Sequence, residues 1–173
     1  MRLRRVSILM ALVAAVLCFS IGTVLADTPQ YENTQAFADV LGYEDVVYDY
    51  LGIDESTSVE MISVTFDDVD YDTFSITVLF SNDSTDVSLY AWNLVTVNES
   101  QDQLTILQTV NQLNYDYPYG KFYWDATDNS ITCDMTVDLT YSSDPGRTVF
   151  EGLRILAGLL YDDSVMETLL SLQ

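Results

Sequence analysis

The sequence contains no histidine, and this absence removes several kinds of chemistry at once. Histidine is the most frequent general base near neutral pH and a common ligand of zinc and copper. Glycine is also scarce: its seven residues are scattered and form no glycine-rich phosphate loop. We therefore predict no catalytic residues, no cofactor and no dedicated metal site, and we expect that the protein is not an enzyme.

Basic residues are scarce too, and half of them lie at the very start. Six Lys and Arg stand against 27 acids, and three of the six are Arg2, Arg4 and Arg5. An uncharged run follows, and small residues precede Asp27. This order is typical of a secretory signal peptide. We predict that residues 1–26 are a signal peptide, that cleavage follows Ala26, and that the protein is secreted or otherwise extracytoplasmic.

The same uncharged run leaves a second interpretation open. It covers residues 6–25, and a bilayer is spanned by about 20 apolar residues. An uncleaved N-terminal membrane anchor is therefore the alternative to a signal peptide. If cleavage occurs, no segment that binds membranes is expected to remain.

The chain beyond residue 26 is strongly acidic. Its only cations are Lys121, Arg147 and Arg154 against all 27 acids, a formal charge of −24. Binding to nucleic acid needs cations that neutralise phosphates, so we exclude nucleic acid as a partner. We interpret the charge as a means of solubility rather than as recruitment of basic partners. The length suits a short linker at 27–33 and one domain at 34–173.

Cysteine is nearly absent. Cys18 falls in the predicted signal peptide, which leaves Cys133 as the single thiol of the domain. One thiol cannot close an intramolecular disulfide, so packing must stabilise the fold. Because a free exposed thiol is a liability outside the cell, we predict that Cys133 is buried, and it has no imidazole that would make it a nucleophile.

Acidic residues are abundant, and one cluster resembles a calcium loop. Asp68, Asp70 and Asp72 occupy positions 1, 3 and 5 of an EF-hand-like pattern. Thr73 then replaces the required glycine, and Leu79 replaces the bidentate glutamate. We interpret the cluster as an acidic turn between two strands, with weak Ca²⁺ binding as the alternative.

Hydrophobic periodicity predicts an α+β fold in the order α-βββ-α-ββ-α. A helical stripe covers residues 34–51, as one broken helix or two short ones that end at Gly42 and Gly52. Period-two alternation then predicts a meander of three strands. Together the segments predict an antiparallel five-stranded sheet with helices packed on one face. The meander strands are placed at 62–66, 74–80 and 87–97.

The second half of the chain has clearer boundaries. A capping box at Ser100 opens a helix with Leu104, Leu107, Val110 and Leu113 on its apolar face. A hairpin follows, with one strand at 122–124 and a second at 131–141 that places Cys133 inward and Thr132, Asp134 and Thr136 in water. Asp144 caps the last helix and Pro145 opens it, with a break near 162–163 and a second capping box at Ser164.

These patterns resemble the YbjN-like family, which shares the fold of type III secretion chaperones. The resemblance is clearest from Leu104 to Leu170, where a helix closing on Leu113, a hairpin opened by Gly120-Lys121-Phe122 and a leucine-rich last helix follow one another. It implies an α+β domain, often dimeric, whose relatives bind proteins or have no assigned activity. It supplies no catalytic residues.

Aromatic residues indicate where a partner would bind. If the odd-numbered residues of strand 87–97 face the helices, then Tyr90, Trp92 and Leu94 face away, with Tyr123 on another strand of the sheet. Exposed aromatic patches mark interfaces, although loops could also half-cover these rings. We predict a secreted, non-enzymatic domain that binds a protein or peptide, or a second copy of itself. The alternatives are an anchored sensory or regulatory domain and, third, a hydrolase with two carboxylates.

Overall fold

The computed structural model describes residues 28–67 and 73–173. The predicted signal peptide with its Ala26 cleavage site, and the Ca²⁺ alternative at Asp68, Asp70 and Asp72, lie outside the described residues. Within those ranges the chain forms four helices and one six-stranded sheet. In chain order the elements are α1 (Glu32–Tyr43), β1 (Asp49–Asp54), β2 (Val59–Phe66), β3 (Phe74–Ser81), β4 (Asp86–Thr96), α2 (Gln103–Asp116), β5 (Lys121–Asp125), β6 (Ser130–Asp138), α3 (Pro145–Leu160) and α4 (Asp163–Leu170).

The sheet is antiparallel throughout and has the order β1-β2-β3-β4-β6-β5. Its strands bury every second side chain, as one covered and one uncovered face require. The helices supply the cover: α3 packs on β4 and β6, α2 on β5, and α1 on α3 and β2. The predicted α+β class is confirmed. We call the other side of the sheet the open face.

The prediction of five strands was wrong, because β1 begins at Asp49, inside the stretch 34–51 that we predicted to be helical. Val47 and Leu51 are four residues apart and suit a helix, but their side chains are 87% and 52% exposed. The first helix ends at Tyr43, next to the glycine that was expected to stop it. The chain then pairs with β2 through a bulge at Gly52, whose φ of 87° favours glycine.

Strand β6 follows the predicted alternation with two corrections. Cys133, Val137 and Leu139 are buried as expected, but the strand stops at Asp138, and Tyr141 is 96% exposed. The Asp138 carboxylate accepts a hydrogen bond from the Thr140 amide, which turns the chain out of the sheet.

The second correction to β6 concerns Thr132, which was expected in water and is only 2% exposed. It lies in register with Tyr123 of β5 on one side and opposite a bulge of β4 on the other. Crowding from both neighbouring strands therefore covers it. Asp134 is half-buried, and Thr136 is exposed as predicted.

Two of the three predicted helix caps were misplaced by two residues. Asp102, not Ser100, caps α2 by accepting from the Thr105 amide, and Asp162, not Ser164, caps α4. In each case an aspartate two positions from the expected serine takes the capping role. The Asp144 cap with Pro145 in the first turn is confirmed, as is the break before α4.

The apolar face of α2 was also assigned partly wrongly. Val110 and Leu113 are buried as predicted, but the third buried residue is Ile106. Leu104 and Leu107 are 61% and 48% exposed. The main contact of α2 is with the edge strand β5, so only a narrow stripe of the helix surface is covered.

Helix α1 is fixed at its start by a carboxylate from the sheet. Tyr31 occupies the cap position without a side-chain cap, and Glu60 of β2 accepts hydrogen bonds from the amides of Gln30 at 2.6 Å and Tyr31 at 2.9 Å. The Tyr50 hydroxyl donates a third at 2.6 Å. Burial raises the pKa of Glu60, but these bonds outweigh it and the net pKa lies below its ordinary value.

Candidate functional site

The open face carries most of the predicted surface residues on three neighbouring strands. Tyr90 of β4 lies directly opposite Asp134 of β6, and Asp134 lies opposite Lys121 of β5. Two residues further along, Thr132 lies opposite Tyr123. Residues directly opposite in an antiparallel pair have Cβ atoms about 4.5–5.5 Å apart, so these side chains form one continuous surface.

A bulge in β4 shapes this surface. Ala91 pairs with Cys133 and Val95 pairs with Ile131, so three residues of β4 stand opposite the single residue Thr132. Asn93 adopts a left-handed φ of 52°, a conformation that asparagine tolerates better than most residues. Its side-chain oxygen accepts a hydrogen bond from the Ser130 hydroxyl at 2.8 Å. Bulges of this kind redirect the neighbouring side chains.

Tyr90 and Trp92 form a parallel stack where the bulge begins. Their ring centroids are 4.3 Å apart and their planes differ by 6°. Trp92 remains 49% exposed, and Tyr90 is half-buried. Tyrosine and tryptophan are the residues that interfaces concentrate, because they present a large apolar surface with few rotatable bonds.

Tyr123 borders the stack on the far side of β6. The side chain is half-buried, and burial, followed by the negative charge of Asp134, raises the pKa of its phenol. The hydroxyl is therefore a stable proton donor. Burial also raises the pKa of Asp134, although Lys121 partly opposes this. The structure thus brings Tyr90, Trp92 and Tyr123 together on the open face.

Leu94, the fourth predicted residue of the surface, is placed differently. It is the last of the three bulge residues, is half-buried, and packs against the hydrophobic core. The prediction had assumed an uninterrupted strand, in which residues 90, 92 and 94 share one face.

A separate apolar cleft of about 230 Å³ lies beside α3, and sequence reasoning missed it. Phe66, Phe74 and Tyr161 form an aromatic cluster there, with centroid distances between 5.3 and 6.3 Å. The cluster joins residues far apart in sequence, so no local pattern could reveal it. Within the part of the chain that the structure describes, Arg154 is the only charged residue of the lining. The lining comprises Val46, Phe66, Phe150, Leu153, Arg154, Ala157, Gly158 and Tyr161.

The remaining chemistry of the described residues is sparse. Cys133 is fully buried, and burial, followed by the charge of Asp134, raises its pKa to about 12, so the thiol stays protonated. Across residues 28–67 and 73–173, no three Asp, Glu or Cys side chains are grouped to hold a metal ion. In that part of the chain, no helix has the length and apolarity needed to cross a bilayer.

The fold is thus a two-layer α+β domain with helices on one side of its sheet and an aromatic stack on the other. The model of the YbjN family, described as "Putative bacterial sensory transduction regulator", matches residues 37–150. This match covers well over half of the sequence. The chain therefore belongs to the YbjN family, as the resemblance from the sequence had indicated.

Comparison with solved structures supports the fold. A chain of the structure described as "Crystal Structure of the ExsC-ExsE Complex" is similar, with a TM-score of 0.51 and 15% identity. The similarity covers 76% of this chain and 91% of that one. At this identity it establishes a shared fold. A comparison with curated proteins found no match.

Proposed function

We propose that the chain is a secreted, non-enzymatic binding domain that takes a protein or peptide on the open face of its sheet. The observation that carries the proposal is the stack of Tyr90 on Trp92, which leaves a large indole half-exposed on a sheet face without helices. An uncovered aromatic patch stabilises a domain less than a buried one does, and such patches mark interaction sites. Tyr123 extends the patch across β6.

The family and the shared fold support a binding role over catalysis. The similar solved chain comes from a complex of two proteins, ExsC and ExsE. The thiol of Cys133 is protonated and buried, which is unsuited to a nucleophile. A hydrolase with two carboxylates needs both in a cleft, and among the described residues no carboxylate lines the apolar cleft beside α3.

A sensory or regulatory domain on an uncleaved anchor is the second candidate. The family description as a sensory transduction regulator favours it, and the uncharged run at 6–25 is long enough to span a bilayer. N-terminal sequencing of the protein recovered from cells and medium separates the two. Asp27 as the first residue supports secretion, whereas Met1 retained in the membrane fraction supports the anchor.

Hydroxyl-radical footprinting tests the binding face. In the free chain, Trp92 at 49% exposure and Tyr141 at 96% exposure should both be oxidised. When a partner captured from the native medium is bound, we expect protection of Trp92 and unchanged oxidation of Tyr141, which lies outside the sheet. Protection of Leu104 and Leu107 on α2, with Trp92 still reactive, would show that the partner binds to the helical side instead.

A further inference from the structure

One carboxylate of the open face lies beside the aromatic stack and forms no ion pair within 4.0 Å among the described residues. Asp134 is half-buried and stands directly opposite Tyr90. Among the described residues, the ion pairs within 4.0 Å are Arg147 with Glu44 and Arg154 with Glu151, so Asp134 has no such partner. Lys121 is its neighbour in register but lies beyond that distance.

The stack and the carboxylate attract the same kind of group. A cation is held over the face of tryptophan or tyrosine when it lies within about 6 Å of the ring centre. Asp134 lies directly opposite Tyr90, and directly opposite residues have Cβ atoms about 4.5–5.5 Å apart. The Trp92 ring stacks on the Tyr90 ring with 4.3 Å between their centroids. A cation held at the edge of this stack can therefore contact a ring and the Asp134 carboxylate together.

We propose that Asp134 and the Tyr90–Trp92 stack form a subsite for an arginine side chain of the bound segment. This rests on the proposed function and names the chemistry of the partner. Arginine fits better than lysine, because its planar guanidinium stacks on an aromatic ring while its N–H groups bind a carboxylate. The acidity of the chain, which we first interpreted as a means of solubility, then also selects the partner.

The net charge of the chain indicates that the segment bound at this subsite belongs to a different, basic chain rather than to a second copy. Beyond residue 26 this chain has three cations, and two of them, Arg147 and Arg154, are already ion-paired with their own acids. A second copy would also bring a further charge of −24 to a face that carries Asp134 and the directly opposed pair of Asp86 and Asp138. A basic segment instead meets complementary charge.

The test uses two short peptides and the two indoles of the full chain. Ac-Gly-Arg-Gly-NH₂ is titrated into the ¹⁵N-labelled chain at 0.15 M salt, and Ac-Gly-citrulline-Gly-NH₂ serves as its neutral analogue. The indole N–H signal of Trp92 should shift. Trp124 serves as the internal reference, because its indole N–H is held by the Asn129 side chain at 2.9 Å. We expect the arginine peptide to bind about three- to thirty-fold more tightly than its analogue.

A pair of variants separates the subsite from general attraction to an acidic surface. Asp134→Asn should remove most of the preference for arginine, and it should fold because burial already disfavours the charged form. Asp86→Asn removes one negative charge from the same face. Asp86 is four residues from Tyr90 along β4, which is about 13 Å at 3.3 Å per residue. This control variant should leave the preference unchanged.

The outcomes are distinct. A preference for arginine, seen at Trp92 and lost only in Asp134→Asn, supports the subsite. Equal binding of the two peptides, no binding of either, or equal losses in the two variants overturns it. If the subsite fails while partner binding still depends on Tyr90 and Trp92, the proposed binding face survives; if that dependence is lost as well, both fail.

Discussion

The indole of Trp92 lies flat on the phenol ring of Tyr90, with 4.3 Å between their centroids. On a regular strand, two residues at positions i and i+2 are about 6.6 Å apart along the strand axis. The bulge that places three β4 residues opposite Thr132 accompanies the closer approach. The same backbone feature therefore shapes the stack and directs Leu94 towards the core.

The first prediction concerns Glu60, which ties the start of α1 to the sheet. Glu60→Gln removes the charge from an acceptor of three hydrogen bonds, two of them at 2.6 Å, and turns part of the acceptor into a donor. We expect the free energy of unfolding at pH 7 to fall by about 1–3 kcal/mol. Denaturant unfolding measures it, with Glu55→Gln in the exposed β1–β2 turn as control.

The pH dependence of that loss follows from the lowered pKa of Glu60. A lowered folded-state pKa contributes stability above the unfolded value of about 4.3, and this contribution is lost as the pH falls through the folded value. The difference in the free energy of unfolding between the wild type and Glu60→Gln should therefore have its full value at pH 7 and shrink below about pH 4. A difference that grows on acidification would contradict the assignment.

The second prediction concerns two glycines of α3. A Cβ on Gly146 would collide with the backbone carbonyl of Ala36 in α1, whereas a Cβ on Gly158 meets no atom within 4 Å. Gly146→Ala should destabilise the fold by about 1–3 kcal/mol, because backbone cannot move aside as a side chain can. Gly158→Ala should stabilise it by about 0.5–1 kcal/mol through helix propensity. Thermal unfolding of both variants checks this α1–α3 packing. Equal changes of Tm in the two variants would contradict it.

The third prediction concerns the charge. Beyond residue 26 the chain has 24 surplus negative charges, whose self-repulsion opposes folding, and salt screens this repulsion over about 10 Å at 0.1 M. Monovalent salt should therefore raise the Tm. Ca²⁺ at matched ionic strength should raise it by a similar amount. A much larger rise with Ca²⁺ that disappears in Asp68→Asn with Asp70→Asn would instead demonstrate a specific Ca²⁺ site at these residues.

Several features that depend only on the local sequence of one strand or one helix were predicted correctly. The alternation around Cys133, the Asp144 cap and the break before α4 are local patterns, and the structure has them. Two errors are also local, since Asp102 and Asp162 cap α2 and α4 in place of the predicted serines. The other errors arise where a neighbouring strand determines the outcome. Val47 and Leu51 suit a helix until β2 offers a pairing edge, and Thr132 reads as exposed until β5 and the bulge cover it.

The candidate site divides in the same way. Tyr90, Trp92 and Tyr123 could be placed from alternation, but their contact depends on the order of the strands. Asp134 was predicted to be an ordinary wet-face residue, because its position opposite Tyr90 is a matter of register between strands distant in sequence. The cleft beside α3 depends on the same kind of long-range contact.

The most direct test of the binding face is partner association of the double variant Tyr90→Ser with Trp92→Ser. A partner captured from the native medium is titrated against the wild type, this variant, and Leu104→Ser with Leu107→Ser, which removes exposed apolar side chains from α2 instead. We expect that the first variant keeps its cooperative unfolding but loses about 2 kcal/mol or more of binding free energy, while the α2 variant binds like the wild type. Wild-type affinity of the Tyr90–Trp92 variant, or its failure to fold, would contradict the claim that these rings form a binding surface.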